Sequence, residues 1–131
     1  MPQDNNLLLQ ALVTKTATFN GAALIFPGGT PRRGLNARII YTAANQASGS
    51  GVFTFSVDVC YDGVPTVWNS DFLAPPITLT TTAQSGEIFI PFSISPTSVA
   101  NGTQIRLSCT LSGSPTTPTI TYSGSIVPGR P

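Results

Sequence analysis

Five carboxylates and two thiols carry whatever acid–base or covalent chemistry this chain could perform, because it contains no histidine. Without imidazole there is no Ser-His-Asp or Cys-His relay. Cys60 and Cys109 alone cannot close a tetrahedral zinc shell. No GxxxxGK loop is present, and no GxGxxG follows a strand. Glycoside hydrolysis needs two acids facing one sugar, and Asp58, Asp62, Asp71 and Glu87 are the available pool. Their places on expected strand faces and turns suit solvated structural carboxylates. Asp58 with Asp62 falls short of the six or more oxygens calcium takes. The expectation is no enzyme, no metal and no cofactor.

Cys60, Trp68 and Cys109 invite an immunoglobulin reading, which fails on detail. Trp68 follows Cys60 by only eight residues, and Leu107 stands where that fold places a tyrosine. Cys109 alternates in phase with Ile105, Leu107 and Leu111. A buried thiol, not a disulfide, is expected there.

Other residues suit binding. Pro31-Arg32-Arg33-Gly34 and Arg38 gather three of the six basic residues within seven positions. They are expected on a loop that docks an acidic protein surface, where Arg forks onto carboxylates. Trp68, with Tyr61 nearby, has three possible uses: a cap on the core, an interface anchor, or a sugar-stacking platform. The predicted protein-contact residues are Arg32, Arg33, Arg38, Trp68 and Tyr61.

Strands must position these groups. Val52 to Tyr61 alternates Phe53, Phe55, Val57 and Val59 against Thr54, Ser56, Asp58 and Cys60, the period of a half-buried strand. Ile105 to Leu111 alternates likewise. Further strands are expected over 22–26, 37–42, 77–82, 87–92 and 119–127. Asn20-Gly21, Asp62-Gly63 and Asn101-Gly102 read as turns. Pro27-Gly28-Gly29 and Pro75-Pro76 should break pairing. Pro91 inside an apolar run marks an edge strand or a bulge. The run from Leu7 to Leu12 is the sole helix candidate, and it passes directly into β-rich sequence.

About eight strands with long irregular connections predict an all-β, antiparallel, jelly-roll-like β-sandwich. Residues 1–10 are expected to form an N-terminal arm, 11–127 one domain and 128–131 a tail. The last twenty residues read as less bound to the core.

Charged residues make up 8% of the chain, against about 25% in an ordinary domain. A surface so weakly charged is poorly defended against association, so it is expected to be covered by other protein. A net charge of +1 argues against nucleic acid, which is bound through many Lys and Arg, and against a membrane surface. Neither a basic leader nor a run of about 20 apolar residues is seen, so synthesis in a cytoplasm is expected.

A His-free, Ser- and Thr-rich β-domain with hardly any charge resembles the cement or decoration proteins of tailed-bacteriophage capsids. The resemblance covers composition and strand pattern along the whole chain. It implies a jelly-roll-like domain on the capsid exterior, made in the host cytoplasm. It also implies binding to the major capsid protein as a homodimer or homotrimer. The alternative is a carbohydrate-binding or adhesin-like module using Trp68 and Tyr61.

Overall fold

The computed structural model describes residues 8–26, 32–60, 68–94 and 103–128. Ten strands run through them: β1 (Leu8–Lys15), β2 (Phe19–Asn20), β3 (Leu24–Phe26), β4 (Arg32–Asn45), β5 (Gly51–Cys60), β6 (Asn69–Leu73), β7 (Ile77–Thr78), β8 (Gln84–Ile94), β9 (Thr103–Gly113) and β10 (Thr119–Pro128). Among the described residues there is no helix. The stretch entering at Leu8 is strand β1, so its alternation outweighs its helix-forming leucines.

The strands form two sheets. One has the order β1-β10-β4-β8; the other runs β2-β9-β5-β6, with β3 also on β9 and β7 also on β5. Every pairing is antiparallel. Since β2 and β3 share β9, and β6 and β7 share β5, the ten strands fill eight positions. Numbered along the chain, position one pairs with eight, two with seven, three with six and four with five. That nesting is one long antiparallel ribbon rolled into two sheets, the jelly roll predicted above.

Local chemistry explains the two divided positions. Pro75 and Pro76 lack the N–H that would continue the ladder between β6 and β7. Asn20-Gly21 was expected to reverse the chain, and it does not. Asn20 pairs with Ser108 and Leu24 with Ile105, so one strand advances four residues while β9 advances three. The extra residue is a bulge. Gly21 bridges it by donating its N–H to the Leu107 carbonyl at 2.8 Å.

The core lies between the sheets. Phe53, Phe55, Val57 and Val59 of β5 and Ile105, Leu107 and Cys109 of β9 are fully buried against Ile39 of β4 and Ile120 and Tyr122 of β10. Phe55 meets Tyr122 edge-on across the gap, ring centroids 4.9 Å apart. Gly124 makes room here, because a Cβ at that position would sit 2.6 Å from Leu107 Cδ2 of the opposite sheet and force that side chain to shift. The expectation that the last twenty residues are loosely held therefore fails for residues 119–128. The chain from Thr119 is β10, flanked on both sides by β1 and β4.

Pro91 does sit on an edge strand, since β8 closes its sheet. Neither cysteine is in a disulfide. Cys109 faces the core, and burial pushes its thiol up from 9.0 to about 12. Burial, and then Cys109 beside it, raises the Tyr122 hydroxyl in the same direction. Among the described residues that hydroxyl has no hydrogen-bond partner.

Candidate functional site

The predicted contact residues do not converge. Arg32 and Arg33 were expected on a loop before the strand predicted over 37–42, but both belong to β4 together with Arg38. Pairing with β8 starts at Arg32 opposite Ile94. The ladder absorbs Gly34 in an irregularity between Arg32 and Leu35, so punctuation in the sequence does not become a turn. A strand rises about 3.3 Å per residue, which separates Arg32 from Arg38 by roughly 20 Å. Six positions of sequence thus become a line, not a patch. Tyr61 lies outside the described residues, as do Asp62-Gly63, Asn101-Gly102 and Pro27-Gly28-Gly29.

Arg38 stands on the outer face of the four-stranded sheet. Its Nε donates to Glu87 Oε2 at 2.6 Å, and both side chains stay over two-fifths exposed. Around this pair the face is almost uncharged. Thr14 and Thr121 share a hydroxyl hydrogen bond of 2.8 Å, and Thr121 pairs with Thr42. Ser123 lies opposite Ile40, which is opposite Glu87. Leu8, Ser125, Arg38 and Phe89 form the next row across β1, β10, β4 and β8. Leu8, Leu12, Ile40 and Phe89 are all exposed, Leu12 by 73% and Phe89 by 50%. Alternation explains why they point outward. Their neighbours Leu9, Ile39 and Ile90 already fill the core side.

The outer face of the other sheet is built differently. Alternation predicts Ser56, Asp58 and Cys60 in water, yet all three are buried, as are Gln104 and Ser108 on β9. Asp58 is 3% exposed and answers this with four donors. Its Oδ1 accepts from Ser56 Oγ and Ser70 Oγ, both at 2.8 Å. Its Oδ2 accepts from Arg106 Nε at 3.1 Å and Ser108 Oγ at 2.5 Å. A buried carboxylate needs this full set, because an unmatched charge there is costly. Trp68 lies over Arg106, with the guanidinium carbon 4.2 Å from the ring centroid. This cation–π contact leaves Trp68 half-buried as a cap on the network. One face of the indole is thereby taken, which weakens it as a sugar platform. Alternation alone missed this cluster. Its one sequence signal is a lone Asp facing Ser and Arg at matching strand positions.

Asp58 and Glu87, two of the carboxylates considered for catalysis, are far apart. They lie on opposite outer faces of the sandwich. Packed sheets are about 10 Å apart even before the outward side chains are added, beyond the ~9.5 Å limit for a pair flanking one sugar bond. Asp71 falls in β6 and Asp62 outside the described residues. Among the described residues no cluster of Cys, Asp and Glu could hold a metal ion.

No family model matches this chain, and no curated protein matches it. Among solved structures, a chain in the structure of infectious bursal disease virus, Gx strain, is similar, with a TM-score of 0.57 at 12% identity. The match covers 92% of this chain and 30% of that one, so this chain spans less than a third of its structural neighbour. At that identity the likeness is one of fold alone, the jelly roll described above.

Proposed function

We propose that this chain is a virion structural protein, a decoration or cement protein that binds the outside of an assembled icosahedral shell. Jelly rolls also serve lectins and cupins, so the fold does not decide the function. The observation that carries the reading is the outer face of the four-stranded sheet. It presents exposed Leu8, Leu12, Ile40 and Phe89 among Ser and Thr, with its single described ion pair compensated. Such a face can be covered by protein at little desolvation cost, and salt barely affects it. The fold likeness to a virus structure supports the same reading.

The role is binding without turnover. A protein that binds only the assembled lattice stabilises that lattice by its binding free energy. Its partner is the major capsid protein, met at seams between subunits. Arg32, Arg33 and Arg38 contribute along a strand, as a line of contacts. Sedimenting particles from the source lysate through a density gradient tests this. The chain is expected to band with the particles in proportion to the major shell protein. A chain left at the top, whose tryptophan fluorescence responds to oligosaccharide, would favour the carbohydrate-binding alternative.

A further inference from the structure

We infer that the outer face of the β1-β10-β4-β8 sheet packs against the same face of a second copy of this chain. The two-fold axis runs along the strands between β10 and β4. The inference rests on reading this face as a contact surface, but it gives the face, Arg38 included, to a second copy in place of the shell, which a dimer meets through its other surfaces. Rotation about that axis sets β10 opposite β4 of the second copy, and β1 opposite β8.

The residues of the face suit that rotation. One row reads Leu8, Ser125, Arg38, Phe89 across the sheet. In the second copy the same row runs in reverse. Leu8, 40% exposed, then meets Phe89 of the copy at both flanks. Arg38 meets Ser125, so the two arginines do not oppose each other. In the adjoining row Ile40 lies over Ser123 of the copy.

Relief agrees with this pairing. Ser123 and Ser125 of β10 are short and half-buried, while Leu8, Arg38 and Ile40 beside them are exposed. The β10 column is a valley between taller neighbours, and Ile40 is a ridge that fills it. An isologous interface requires this kind of self-complementarity. Charge also agrees among the described side chains, since Arg38 and Glu87 neutralise each other within each copy and neither is left unmatched by the contact. Size agrees as well. The four strands hold 8, 10, 14 and 11 residues. At about 4.8 Å between strands and about 3.3 Å per residue, the face is roughly 600 Å² in projection, and side-chain relief brings it towards the ~800 Å² per partner of a standard interface.

The test is light scattering on the purified full chain, alone and with two variants. The wild type is expected at about twice its 13.6 kDa mass. Leu8→Glu and Phe89→Lys should each shift it to monomer with unchanged circular dichroism, since both sites are exposed. Mixing the two variants should restore the dimer, because the introduced carboxylate of one faces the introduced ammonium of the other. A monomeric wild type overturns the inference even if the variants misfold. Dimeric single variants, or a mixture that stays monomeric, also overturn it. A monomer that still bands with particles sinks the dimer and leaves the proposed function standing; a dimer absent from particles does the reverse.

Discussion

Arg106 and Arg38 are both arginines on the outer face of a sheet beside a carboxylate, yet they occupy opposite environments. Arg106 is pinned between Asp58 and Trp68, with its acid 4% exposed. Arg38 holds a shorter ion pair, but both partners stand in solvent. What separates them is cover. Ser70 and Trp68 bring the chain's own residues over one face, so the charge beneath must be matched donor by donor. Nothing in the described chain covers the other face. Its apolar side chains remain exposed, and its ion pair does little for the fold. One face is finished by the chain itself, and among the described residues the other is not.

Stability measurements can break this contrast. The largest effect is expected at Asp58. Asp58→Ala strands Arg106 and three hydroxyls in a covered site and should cost about 3–5 kcal/mol in urea unfolding. A loss below about 1 kcal/mol would mean that this face is as wet as the other. Next comes the slab between the faces. The folded Cys109 thiol titrates near 12 against an ordinary 9.0, so the fold favours the protonated form. Its contribution is fully present below about pH 9 and is lost as pH climbs towards about 12. Tyr122 is raised too and acts in the same sense. The urea midpoint should fall over that window, and Cys109→Ala should flatten the fall.

Tyr122→Phe is expected to be neutral or stabilising by about 1 kcal/mol, since it removes a buried hydroxyl that has no partner among the described residues. A clear loss would reveal a hidden partner between the sheets. The smallest effect belongs to the open face. Arg38→Ala combined with Glu87→Ala should change stability by less than about 1 kcal/mol, as exposed pairs do. A loss matching that of Asp58→Ala would erase the distinction between the faces.

Much of the fold is legible in the chain. The alternation of Phe53, Phe55, Val57 and Val59 names the core side of β5, and Pro91 marks an edge. Cys109 is buried with its aliphatic neighbours. Less legible is whatever lies above a sheet. Ser56 and Asp58 read as solvent-facing, because polarity reports the face a strand turns and not what folds over it. Ser70, which covers Asp58, arrives from twelve positions away on another strand. Arg32 and Arg33 read as a loop because they lie between the strands expected over 22–26 and 37–42. Here the long β4–β8 ladder carries through them. The open face was legible only as a shortage of charge. Collecting Leu8, Ile40 and Phe89 there required the register of four strands.

Thiol labelling of an Ile40→Cys chain that also carries Cys60→Ala and Cys109→Ala tests the idea of a partner-covered face most directly, because the two buried native thiols would otherwise react once the chain unfolds. In purified particles that site should react far more slowly than in the same chain unfolded in urea, whichever protein lies over it. Equal labelling rates in particles and in the unfolded chain would contradict the account.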